Sequence, residues 1–265
     1  MELPAGMLLN GFDAFILIFV RMTGIFVIAP IFGRRNIPAY FKIGLSLMMA
    51  LILINTVSIP KLDYFDNIFA LAFLVFKEFI VGLTLGYVSY LVFASIYMAG
   101  QIIDMQVGFG MVNVLDPVSN IQVPITSNFY FIMSMLVFLA FNGHHALIKA
   151  LFESYSHIPL GQAVFDNNLM DDIVRAFGNI FLLGFKISAP IVAAILITDV
   201  TLGVISRSVP QLNFFVVGMP VKILIGLLVM VLTVPIFISM VDILINGMNN
   251  EMLRFMRDMG SGGGK

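Results

Sequence analysis

Met105, Gly108, Phe109, Gly110 and Met111 stand together in the stretch from Gln101 to Pro124, which interrupts hydrophobic sequence on both sides. The chemistry open to such residues is exclusion. An aromatic ring with two thioether side chains can dry a narrow passage, because hydrophobic constrictions gate by dewetting. Gly108 and Gly110 allow positive φ on either side of Phe109, and methionine is soft, adaptable bulk, so the segment can fold into a gap and later leave it. Asp116-Pro117 and Pro124 forbid a continuous helix, and Asp104, Gln106, Asn113, Ser119, Asn120 and Gln122 need water or protein partners. A loop of this make-up suits a cavity or pore.

Other chemistries fit less well. His144-His145 could ligate a metal, but neither an H-E-x-x-H helix nor a third clustered ligand accompanies them, so the pair reads as structural. Gly108-Phe109-Gly110 lacks the further glycine of a dinucleotide fingerprint, and the Gly260 to Lys265 run lacks the Ser/Thr and helix of a P-loop. Neither a nucleophile elbow nor an acid–base carboxylate pair is evident, which argues against an enzyme and gives no cofactor, metal or catalytic residue.

Arg21, Lys77, Glu78, Lys186, Asp199 and Asp242 lie inside long apolar segments. There each Arg, Lys or Asp costs about 2.5–3.5 kcal/mol at a bilayer centre on insertion scales. Lys77 and Glu78 are adjacent and point about 100° apart on a helix, so each requires its own partner. Two readings are open: the charges snorkel or lie near helix ends, or these helices pack mainly against protein. Gly82 and Gly86, spaced small-xxx-small, would admit another helix closely, as would Ala189 and Ala193.

The elements that must position these residues are membrane helices. The 265 residues are 60% hydrophobic and 11% charged, with a mean hydropathy of +1.04, far outside soluble usage. A net charge of −1 leaves no basic footprint for nucleic acid. With no cysteine there is neither a disulfide framework nor a thiolate metal site. Glu2 and Asp13 in place of a basic n-region argue against a cleaved signal peptide.

Six apolar segments follow: Phe12–Phe32, Ile43–Val57, Asn67–Ala99, Ile125–Phe141, Arg175–Ile205 and Lys222–Asn246. The third, at 33 residues, would be roughly 50 Å long as one helix, against about 30 Å of hydrocarbon. The fifth is also too long for an upright span, and Pro190 should kink it. Residues 142–174, with His157, Asp166, Asp171 and Asp172, read as the longest aqueous segment, and Met252–Lys265 as a mildly basic helix fraying into a flexible tail. Arg34, Arg35 and Lys42 put the first loop in the cytoplasm, and Arg207 with Lys222 agree for the fifth. Six crossings would leave the basic carboxyl terminus outside, so one segment should fail to cross.

Several spaced motifs carry a resemblance over essentially the whole chain. They are Pro30 to Gly33 with Ile37-Pro38, Gln106 to Met111 with Asp116 to Ser119, Asn142 to His145, and Arg207 to Asn213 with Gly218 to Lys222. The chain resembles the FliR/SctT family of type III export-gate membrane proteins, closer to the flagellar branch. The resemblance implies an all-α, polytopic inner-membrane protein of the flagellar basal body. With FliP-like and FliQ-like subunits it would form a helical pore for unfolded flagellar proteins, with FlhB-like and FlhA-like proteins associated. It further implies a single domain over residues 1–259, FliP-like to 175 and a FliQ-like hairpin over 176–250, before the Gly-rich tail 260–265. The plug role falls on Met105, Gln106, Gly108, Phe109, Gly110, Met111, Asp116 and Pro117, and a conformational turn on Arg207, Pro210, Gln211, Gly218 and Pro220. The alternatives are a small-molecule or ion transporter, for which paired broken helices around a midplane site would be expected, and a purely structural membrane scaffold.

Overall fold

The computed structural model describes residues 5–34, 36–57, 68–109, 124–209 and 214–260. Among them it is built of helices: α1 (Ala5–Ile28), α2 (Ala39–Leu53), α3 (Ile68–Val107), α4 (Ile125–Ala140), α5 (Gly143–His157), α6 (Asn167–Ser208) and α7 (Phe214–Gly260). The all-α, polytopic expectation holds. Four helices are long and apolar enough to cross a membrane, within α1, α3, α6 and α7. A fifth candidate arises if α4 and α5 count as one broken span. They are separated at Phe141-Asn142, where Asn142 takes the left-handed conformation with φ 57°.

α3, α6 and α7 contain 40, 42 and 47 residues, or about 60, 63 and 70 Å at 1.5 Å per residue. Even a 40° tilt leaves each well beyond a hydrocarbon layer of about 30 Å, so a span by any of them would leave part of the helix outside it. α2, with 15 residues, reaches only about 22 Å, too short to cross such a layer.

Element ends differ from the sequence reading in four places. α3 continues to Val107, so Met105 and Gln106 are helical and the loop begins later; no Gly or Pro occurs between Gly100 and Gly108 to stop it. The polar stretch 142–174 holds α5 and the first eight residues of α6, because Pro159 and Gly161 break the chain only locally. Pro190 lies inside α6, while Pro220 and Pro235 lie inside α7. Each proline removes one backbone donor, a loss that membrane helices tolerate when neighbouring groups take up the freed carbonyl. α7 therefore absorbs both the expected turn at Gly218 and Pro220 and the separate terminal helix. Gly260 ends α7 rather than starting a free tail, and a Cβ there would overlap the His157 carbonyl. Residues 261–265 lie outside the described residues.

The chain forms two compact units. The first comprises the described residues of Met1–Leu91, Asn142–Ala176 and Asn246–Lys265. Its core joins Leu17, Ile18, Met22, Ile25 and Phe26 of α1 with Val81 and Leu85 of α3, Leu151 of α5, and Phe255 and Met256 of α7. Glycines set its closest approach: a Cβ on Gly24 would lie 2.7 Å from the Phe79 carbonyl oxygen and 3.0 Å from the Gly82 Cα. Where helices meet in lipid, small residues of this kind are what permit van der Waals contact between backbones.

The second unit comprises the described residues of Val92–Phe141 and Phe177–Ile245. Its core includes Phe93, Ile96, Ile103, Tyr130, Phe138, Ile191, Ile195 and Phe237. Tyr130 stacks on Phe237 at 4.3 Å, and Phe93 meets Phe138 edge-on at 5.4 Å, geometries that aromatic quadrupoles favour. α6 and α7 run antiparallel in this unit: Asp199 meets Lys222, and four residues further along each helix Ile195 approaches Gly226.

Candidate functional site

Asp104 lies on the last full turn of α3, and its two chemical groups do different things. Its backbone carbonyl accepts hydrogen bonds from Gly108 N–H at 3.2 Å and Phe109 N–H at 3.0 Å. That closes the helix end around Gly108, whose φ of 99° only glycine adopts cheaply. Its carboxylate, 6% exposed, accepts from Thr126 N–H at 2.9 Å, from Ser127 N–H at 3.4 Å and from the Ser127 hydroxyl at 3.5 Å. α4 begins after Pro124, which makes no side-chain cap. Thr126 and Ser127 are the second and third helical positions, whose amides are otherwise orphaned. A carboxylate there also meets the positive end of the helix dipole.

Phe109 leads from this turn into an apolar cavity of about 300 Å³ lined also by Ile125, Thr126, Phe129, Leu227 and Met230. Met105 is 74% exposed and Gln106 half-buried. Thus Met105, Gln106, Gly108 and Phe109 share one end of α3, while Gly110, Met111, Asp116 and Pro117 lie outside the described residues. Sequence reading named Asp104 only as a polar residue in need of a partner. The missing capping residue at Pro124 was the signal that could have found its role.

The charged positions resolve individually. Arg21 and Glu78 are each fully buried and pair Nε to Oε2 at 2.5 Å. Arg21 also donates to the Ser154 hydroxyl at 3.2 Å and the Ile158 carbonyl at 3.0 Å, and lies 4.3 Å from the Tyr155 ring centroid. Glu78 accepts from Gly161 N–H at 2.8 Å. Lys77 donates to the Ala163 carbonyl at 3.2 Å and sits over the Phe73 ring. The adjacent pair thus has separate partners, and a buried charge with this many hydrogen bonds is compensated. Gly82 touches the Arg21 backbone so closely that a Cβ would overlap its carbonyl oxygen, and a Cβ on Gly86 would lie 3.0 Å from that of Ile25.

Asp199 and Lys222 form a partly exposed pair at 2.9 Å, whereas Lys186 is exposed on α6. Arg207 ends α6, and Pro210 and Gln211 lie outside the described residues. Gly218 is buried and Pro220 exposed, both within α7. The His144 and His145 rings lie 4.1 Å apart, closer than adjacent helical positions suggested.

Known proteins resemble this chain in sequence. The family described as "Bacterial export proteins, family 1" matches residues 12–248. Flagellar biosynthetic protein FliR of Bacillus subtilis (strain 168) is 34% identical over 255 residues, covering 95% of this chain and 96% of that protein. The protein of the same name from Escherichia coli (strain K12) is 29% identical over 217 residues, 82% of each chain, and that of Aquifex aeolicus is 27% identical over 223 residues. A helical, polytopic chain matched from near one end to the other in this way belongs to the bacterial export protein family 1, the family of the FliR proteins.

Proposed function

We propose that this chain is a subunit of the flagellar type III export gate in the bacterial inner membrane, where it helps form the pore through which unfolded flagellar proteins pass. The observation that carries this reading is the family match over residues 12–248, with a FliR relative covered along 96% of its length. FliP-like and FliQ-like subunits are the expected neighbours, with FlhB-like and FlhA-like proteins at the cytoplasmic side. Residues 1–175 correspond on this reading to a FliP-like part and 176–250 to a FliQ-like hairpin, which fits the antiparallel course of α6 and α7. Large apolar side chains exposed on α6, among them Phe177, Phe181, Phe185 and Val200, fit contact with lipid or neighbouring subunits.

The chain supplies a passage rather than a reaction, and the loop beyond Phe109 is its plug. Phe109 enters that role from a fixed helix end beside an apolar cavity, an arrangement able to exclude water while closed. The test is deletion of the encoding gene in a motile host. Loss of filaments and of secreted flagellar protein, both restored by the intact gene, supports the reading. Normal filaments and secretion in the deletion strain refute it.

A further inference from the structure

We infer that Asp104 is a positioning residue that fastens the base of the Phe109–Pro124 excursion by holding both of its ends. This rests on the proposed function only for its consequence, ion-tightness; the fastening itself stands on geometry. The outgoing end is tied by the Asp104 carbonyl to Gly108 and Phe109. The returning end is tied by the Asp104 carboxylate to Thr126 and Ser127. One turn before Asp104, Gly100 packs against the backbone and hydroxyl of Ser127 so closely that a Cβ would overlap them. The absence of a side chain at 100 therefore brings the two helices within reach of the carboxylate.

A local cap would satisfy the same amides. Pro124 has φ −70° and ψ 104°, an extended conformation in which serine or aspartate caps the second or third helical amide by itself. Here the acceptor comes instead from a residue 22 positions earlier, so satisfying the start of α4 requires the two ends of the excursion to stay together. Bonds to a charged acceptor are about twice as strong as neutral ones, which strengthens the tie to Thr126 and Ser127.

The experiment uses the assembled complex purified from membranes, with spin labels at Gln101→Cys and Asn128→Cys, two exposed positions in a chain without native cysteine. The unaltered Asp104 background should give one narrow distance distribution. Asp104→Ala should add a longer-distance population larger by about tenfold, and Asp104→Asn, which keeps one acceptor oxygen, a smaller one. Pairing Asp104→Ala with Pro124→Ser separates fastening from capping. The local cap should restore protection of the Thr126 and Ser127 amides against hydrogen exchange without removing the longer-distance population. Distance distributions unchanged by Asp104→Ala, or restored by Pro124→Ser, overturn the fastening. Ion flux through the same complexes reads the plug separately: broadened distances in complexes that stay ion-tight even without the residues midway between Phe109 and Pro124 uphold the fastening and remove the plug.

Discussion

Arg21 of α1 and Glu78 of α3 form an ion pair at 2.5 Å with neither side chain exposed. Both lie in apolar helices that are candidates to cross a membrane, so each is the other's main compensation for lost solvation. Arg21→Leu alone should leave Glu78 uncompensated and cost about 3–5 kcal/mol, whereas the double change to leucine should recover a large part. Steady-state level and thermal stability of the detergent-solubilised chain measure this. A double variant as unstable as the single one would show that the hydrogen bonds to Ser154, Ile158 and Gly161 matter more than the charge pairing.

Gly82 and Gly86 should differ in their response to alanine. A Cβ at Gly82 overlaps the Arg21 carbonyl oxygen, which is backbone and cannot step aside, so Gly82→Ala should be nearly as damaging as Gly82→Leu. At Gly86 the nearest atoms stand at 3.0–3.4 Å, and alanine should cost roughly 1 kcal/mol, less than leucine. Gly203, with nothing within 4 Å, is the control. Yield of folded chain by size-exclusion chromatography orders the variants, and equal tolerance of alanine at 82 and 203 would contradict the close α1–α3 contact.

Asp199 and Lys222 are 34% and 18% exposed as side chains, so in water their pairing is worth at most about 1 kcal/mol. Within lipid or a subunit contact the same pair matters more, because a lone charge there lacks solvation. Lys222→Met should therefore impair export more than it unfolds the purified chain, and the exchange Asp199→Lys with Lys222→Asp should restore much of it. Motility halos scored beside melting temperature distinguish the two environments. Wild-type motility with Lys222→Met would place the pair in water.

Fold class was legible because it follows from composition: a chain 60% hydrophobic with four long apolar runs has few alternatives to membrane helices. Helix ends were less so, since Pro190, Pro220 and Pro235 act as breakers in water-exposed helices but are passed through here. Lys77 and Glu78 could be seen to need separate partners from their adjacency alone. That Glu78 finds Arg21, 57 positions away, could not, because no local rule links them. Asp104 escaped for the same reason: capping rules look to the residue before a helix, and this cap comes from another helix.

Gly108 should not accept a side chain. Its φ of 99° strains any L residue, and a Cβ would also approach Met219 at 3.2 Å. Gly108→Val should reduce secretion of flagellar protein by about tenfold or more while leaving the chain in the membrane, given roughly 1–3 kcal/mol of strain per such residue. Unaltered secretion by this variant would mean that the turn after α3 has no part in export.

The proposed plug is tested most directly by ion flux through the reconstituted complex with and without the residues midway between Phe109 and Pro124. Removing them, or changing Phe109 and Met111 to serine, would take away the proposed apolar constriction. The account predicts a complex that still assembles but conducts small ions in the absence of substrate. A complex without those residues that assembles and stays as ion-tight as the unaltered one would contradict it and leave the stretch a packing loop at a subunit contact.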